Sequence, residues 1–227
     1  MAAKQMDQSL NARVMVWWAV PWSMVLMELA IRAFAHHRIY AFWYESGEWS
    51  VNEIATFLVL VAAIVVGIKR LPSLPSGLTR WWMLLLVAGC VYFAGEEISW
   101  GQHWLGWETP PQWQAINDQG ETNLHNTSSW LDQKPRQLLE LWILFGLIVY
   151  AYCRRGAKPP VWAGLWPSVQ CLGAAFAAIL IRLPERITTW LNADPLPLFS
   201  IRLAETQELM FAFFLLAFMT TLARKPQ

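Results

Sequence analysis

Charge is scarce in this chain. Only 15% of its 227 residues are charged, where a water-soluble domain carries about a quarter. That shortage excludes an ordinary hydrated globular surface. The net charge is +1, so the basic footprint of a nucleic-acid binder is missing as well. Cysteine is rare too. Cys90, Cys153 and Cys171 lie within or at the ends of apolar runs and form neither a disulfide framework nor a CxxC pair. No phosphate loop, nucleotide fingerprint, nucleophile elbow, HxxxH or HExxH occurs.

Apolar length is what the chain has. Hydrophobic residues make up 56% of it, with 16 Trp and 11 Phe. Several runs reach the roughly 20 residues that cross a bilayer. The expected fold is all-α: a single integral membrane domain over 1–227 with six spans, at about 14–35, 51–68, 81–100, 137–152, 161–181 and 203–223. Ala33-Phe34-Ala35 resembles a signal-peptidase site, but Glu28 and Arg32 interrupt its approach, so the first span is expected to stay. Prolines and glycine in KRLPSLPSGLTR stop the second helix before the third.

Six spans put both termini on one side. Lys4, Arg13, Lys69, Arg70, Arg80, Arg154, Arg155, Lys158, Arg224 and Lys225 lie there. The positive-inside rule makes that side cytoplasmic. The expected location is a bacterial inner membrane with the polar segments facing the periplasm. Of 16 acidic residues, only Asp7 then falls on the cytoplasmic side.

Positive-inside bias explains acids in loops but not acids in spans. Glu28, Glu53, Glu96, Glu97, Glu140, Glu205 and Glu208 lie within or at the ends of apolar helices. A carboxylate at mid-membrane costs about 2.5–3.5 kcal/mol unless it is paired, protonated or hydrated. Arg32, Arg182, Arg186 and Arg202 are at suitable depths to pair with some of them. Glu205 and Glu208 share a helix face. So do Glu96, Ser99 and His103, if the third helix continues past Trp100. A common polar cavity opening outward is the simplest arrangement.

The polar segment 101–136 carries the rest. Thr109-Pro110-Pro111 reads as a helix start, with Thr as N-cap and Pro at N1. A short interfacial helix through about Asn117 follows, and Gly120 ends it. Gly95 to Asn126 holds two of the four histidines. Two chemistries suit it. One is a divalent metal such as Zn²⁺ on His103, His125 and Glu96. The other is metal-free acid–base work by a histidine and a carboxylate. The candidate catalytic residues are Glu96, Glu97, His103, Glu121 and His125. Gln102, Asn123, Asn126, Glu205 and Glu208 are candidates for substrate binding. His36 and His37 read as plain surface residues.

GEEISWGQ (Gly95–Gln102) together with GETNLHN (Gly120–Asn126) resembles the signature of a group of uncharacterised bacterial multi-pass membrane proteins. The resemblance implies a similar layout of spans and no activity. More loosely, the chain is similar to the alkaline-ceramidase-like membrane hydrolases, which hold His and acidic ligands around zinc. It lacks their seven spans and their paired late-helix histidines.

The functional expectation is a membrane-embedded hydrolase or group transferase. It would act on a lipid or lipid-linked substrate at the outer leaflet, with membrane lipids as its partners. The alternative is a non-enzymatic binding or assembly subunit of an envelope complex. A proton-coupled transporter fits less well, because no inverted repeat or broken helix pair is visible.

Overall fold

The computed structural model describes residues 2–44, 50–75, 77–117, 120–124, 127–155, 165–194 and 203–222. Among them are ten α-helices and no strand. In chain order these are α1 (Ala2–Phe34), α2 (His37–Tyr44), α3 (Val51–Arg70), α4 (Leu78–Glu97), α5 (Gln102–Leu105), α6 (Pro111–Gln114), α7 (Ser129–Arg154), α8 (Leu172–Leu180), α9 (Leu183–Trp190) and α10 (Leu203–Thr221). Helices α1, α3, α4, α7 and α10 are long and apolar enough to cross a membrane. The protein is an all-α polytopic membrane helix bundle.

α10 is the centre. Its residues Leu209 to Phe218 are mostly buried on every side, as expected for a helix that is apolar all round. Around it, α1, α3, α4 and α7 turn apolar residues outward. Leu58, Val61 and Val65 of α3 and Leu141, Leu144 and Ile148 of α7 are exposed. Such a surface suits hydrocarbon, because helices satisfy their own backbone groups there.

α3 and α10 form the most extensively packed pair, and they run parallel. The Arg70 guanidinium, at the end of α3, donates to the carbonyls of Met219, Thr220 and Leu222 at the end of α10. These carbonyls have no partner within their own helix, and a cation there also meets the negative end of the helix dipole. At the other end, Ser50 caps α3 by accepting from Glu53 N at 3.2 Å. The Ser50-x-x-Glu53 spacing is a capping-box sequence. The end holding Glu53 and Glu205 is called the acidic end below, and the end holding Arg70 the basic end.

The element boundaries differ from the sequence expectation in five places. α7 starts at Ser129 and takes Pro135 inside it. A proline near the head of a helix removes one ladder bond, and the rest of the helix is retained. The fifth span is a 3₁₀ turn at Val169–Cys171 followed by the nine residues of α8. Its expected start, 161–164, lies outside the described residues. It still runs from one end to the other. Ser168 bonds Thr221 at 3.1 Å, and the Ala178 carbonyl accepts from Gln207 at 2.9 Å. Small residues allow this tight passage. A Cβ on Gly173 would sit 2.7 Å from the backbone of both Trp17 and Trp18. α4 stops at Glu97 instead of continuing past Trp100. Ser99 and Trp100 adopt left-handed φ of 41° and 58°, which no continuing right-handed helix allows. The interfacial helix shrinks to Pro111–Gln114, and Thr109 is not its cap. Finally, α2 and α9 are helices where loops were expected.

Candidate functional site

α10 begins with four consecutive polar residues, Glu205-Thr206-Gln207-Glu208. Successive residues point about 100° apart, so these four face all sides of the helix. Each meets a different partner. Thr206 Oγ1 donates to Glu28 of α1 and accepts from Arg32 at 3.0 Å. Gln207 Nε2 donates to Glu140 of α7 at 2.6 Å. Glu208 pairs with Arg136 of α7 at 3.1 Å. Glu205 and Glu208, with Glu53 and Arg136, are the charged neighbours of Glu97 on α4. Two of the arginines expected to pair with some of the span acids do so, Arg32 with Glu28 and Arg186 with Glu140. Arg182 instead pairs with Glu185, three residues on. Arg202 lies outside the described residues. The span glutamates are therefore divided into separate groups around α10.

The second assembly is a cap over the end of α4, built from residues 95–124. Glu96 is buried and turns into it. Its Oε1 accepts from Trp100 Nε1 at 2.8 Å, and its Oε2 from the Leu124 backbone at 2.7 Å. Trp100 reaches back because the left-handed pair turns the chain sharply. Its ring would lie 2.8 Å from any Cβ on Gly95, so a glycine is needed there.

Glu121 is the centre of the cap. Its Oε2 accepts from Ser99 Oγ at 3.0 Å and from Asn123 Nδ2 at 2.7 Å. Its Oε1 lies 3.4 Å from His103 Nε2. Asn117 Nδ2 donates to both oxygens of Asn123, the carbonyl and Oδ1, at 3.0 and 2.9 Å. Gln102 donates to Thr109 Oγ1 at 2.5 Å and accepts from Thr122 N at 2.6 Å. Thr109 in turn donates to the Gly120 carbonyl at 2.6 Å. Gly120 takes a positive φ of 68°, which glycine adopts without strain. Charged acceptors in such a largely buried network hold their donors firmly.

The expected residues thus divide. His103 and Glu121 come together, with Ser99 and Asn123 behind the carboxylate. Glu96 reaches the same cap, although no continuous helix carries it there. Glu97, Glu205 and Glu208 meet in the other assembly. Gln102 and Asn123 are buried, with their amides bonded inside the cap. His125 and Asn126 lie outside the described residues. Among the described residues, no three His, Cys, Asp or Glu side chains converge as a metal-binding group. Of the expected His103–His125–Glu96 set, His125 lies outside the described residues, Glu96 accepts from Trp100 and Leu124, and His103 faces Glu121. His36 and His37 stack on each other at the start of α2, with ring centroids 4.1 Å apart.

Sequence reasoning missed Asn117, Thr109, Thr206, Gln207 and Arg136. Only Thr206 and Gln207 carried a signal, as uncharged polar residues between two glutamates at the head of an apolar run.

Chemically, the described residues of the cap present the His103 imidazole beside the anchored Glu121 carboxylate. Ser99 Oγ is bonded to Glu121 and not to His103, so it is not arranged as a nucleophile activated by the histidine. His103 is half exposed. Trp100, Trp104 and Trp107 are also partly exposed, which suits indoles at a membrane–water boundary. No protein family, curated protein or solved structure matches this chain.

Proposed function

We propose that this protein is a membrane-embedded enzyme that performs acid–base chemistry on the head group of a lipid or lipid-linked substrate, a hydrolysis or group transfer. The observation that carries the reading is His103 Nε2 at 3.4 Å from Glu121 Oε1, at a partly exposed membrane-surface position. A carboxylate behind an imidazole orients the ring for proton transfer. Glu121 is itself held by Ser99 and Asn123, so the pair has little freedom. The indoles around it favour a substrate presented by the bilayer.

Lys and Arg counts favour cytoplasmic termini. The acidic end would then face the periplasm of a bacterial inner membrane. The test is the lipid profile of cells expressing the wild type, His103→Ala or Glu121→Gln. Loss of a general acid–base group lowers turnover by about 10²–10⁴-fold, so the product lipid should disappear in variants that still accumulate in the membrane. A profile unchanged between wild type and folded variants would defeat the proposal.

A second reading, a binding or assembly subunit of an envelope complex, is supported by a separate observation. Gln102, Thr109, Asn117 and Asn123 direct these hydrogen bonds to groups within the cap. That gives the cap a fixed shape. Co-purification of a stoichiometric partner, lost when the cap surface is altered, would favour this reading.

A further inference from the structure

α9 is a helix whose two ends are set by local chemistry. Pro184 stands in its first turn, where a missing N–H costs nothing. Thr188 Oγ1 donates to the Glu185 carbonyl at 2.9 Å. Asn192, at a left-handed φ of 50°, ends the helix. There Ala193 N donates to the Thr188 carbonyl at 2.9 Å, and Asn192 N to that of Thr189 at 3.2 Å. This bond pair is a Schellman motif, and asparagine accepts the left-handed turn better than most residues.

The helix has two unlike sides. At about 100° per residue, Leu183, Ile187, Trp190 and Leu191 fall within about 100° of one another. Glu185, Thr188 and Thr189 lie opposite, and Arg186 lies at the edge. In a water-soluble protein such an apolar stripe faces the core. Here it faces away: its four residues are between 42% and 81% exposed, with Trp190 the most. Polar groups hold the helix in this orientation. Arg182 bonds Glu185 at 3.0 Å, and Arg186 reaches across to Glu140 of α7.

The Arg186 contact also sets the depth of α9. Glu140 is seven residues into the α7 span, Gln133–Arg154, about 10 Å along its axis. The long arginine side chain reaches from there toward the head groups. Leu138 and Leu141, on either side of Glu140 in sequence, are exposed on the surface that α7 turns to hydrocarbon. The α9 stripe is brought near the level of these leucines.

Indole prefers the membrane–water boundary. A helix with one apolar side and a polar back lies in that boundary, its apolar side sunk by about 5–10 Å. A second copy of the chain fits less well. Four side chains on one short helix are far fewer than the roughly 20–30 residues per side of a stable interface. Both arginines already face carboxylates, so charge is not what draws this surface to lipid.

We propose that α9 is an in-plane membrane anchor. Leu183, Ile187, Trp190 and Leu191 insert into the leaflet at the acidic end, while Glu185, Thr188 and Thr189 face the bundle and water. The partner is the lipid surface itself, with no requirement for an anionic head group. This anchor is separate from the His103–Glu121 pair and stands or falls independently of it.

The experiment uses the full chain in nanodiscs of phosphatidylcholine, with and without phosphatidylglycerol. Cys153 is half-buried and is replaced by Ser; Cys90 and Cys171 are buried and stay. Spin labels are attached singly to Ile187→Cys and Thr189→Cys, one for each side of α9. Collision with oxygen, which partitions into lipid, is compared with collision with a water-soluble nickel chelate. The label at 187 should meet oxygen more than chelate, and the label at 189 the reverse, in both kinds of nanodisc. A second measurement leaves the cysteines untouched: brominated phosphatidylcholine should quench a smaller share of the tryptophan fluorescence in Trp190→Phe than in the wild type. Chelate dominance at both positions, with quenching unchanged in Trp190→Phe, would overturn the proposal. A label at 187 shielded from both probes and spin-coupled to a second copy would overturn it in favour of a dimer face. Insertion seen only with phosphatidylglycerol would overturn it as well.

Discussion

Glu96 Oε2 accepts a hydrogen bond from the backbone of Leu124, 2.7 Å away and 28 positions later in the chain. One carboxylate at the end of α4 thus holds the far end of the cap, while its other oxygen holds Trp100. Glu96→Gln keeps the shape but removes the charge and one acceptor oxygen. The cap should lose about 1–3 kcal/mol. Hydrogen exchange at Leu124 should speed up, with little change in α10.

Glycines in the bundle should respond in opposite directions. Gly173→Ala places a Cβ 2.7 Å from backbone atoms of Trp17 and Trp18, and backbone does not yield. Overpacking of this kind costs about 1–3 kcal/mol. Gly89 has nothing within 4 Å of its Cβ position, so Gly89→Ala should be neutral or stabilise α4 by up to about 1 kcal/mol. Thermal unfolding in detergent would rank the two variants.

The partners of Glu140 should prove unequal. Arg186 is nearly half exposed at 47%, and exposed ion pairs contribute about 0–1 kcal/mol. Gln207 is buried and bridges Glu140 to the Ala178 carbonyl. Gln207→Leu should cost more than Arg186→Gln, by about 1–3 kcal/mol for the acceptors left unpaired. A double-mutant cycle of stability measurements would separate the two contributions.

Arg70→Gln should release the last turn of α10. Three carbonyls lose a charged donor. Exchange at residues 219–222 should rise, while the cap at the opposite end stays protected. Equal protection in wild type and variant would show that the guanidinium contributes little.

The sequence was most legible where apolar length alone decides the structure. Four spans, at 14–35, 51–68, 81–100 and 203–223, were placed within a few residues at most ends. Boundaries failed where backbone geometry decides them. Nothing in Ser99-Trp100 announces a left-handed turn, since neither residue type favours one. α7 begins well before the expected 137, because the cost of Pro135 is local, while the packing that offsets it is not visible in sequence. The fifth span misled for a related reason. Its alanines and Gly173 are apolar, but their use is close approach to α1 and α10, and proximity has no sequence period. In the cap, His103 and Glu121 were both singled out, but their pairing depends on a fold-back of the chain. The separate grouping of Glu97 with Glu205 and Glu208 depends on α10 being central, which its composition did not distinguish from the other spans.

The central place of α10 bears on biosynthesis. It follows the other nine helices of the described residues, and those are made before it reaches the membrane. Until then Glu28 lacks Thr206, Glu140 lacks Gln207 and Arg136 lacks Glu208. The newborn bundle must hold these groups in the bilayer in an immature state, open to chaperones or proteases. Arrival of the Glu205-Thr206-Gln207-Glu208 segment is the event that matures it, so a ribosome stalled before that segment would leave a chain that is inserted but recognisably unfinished.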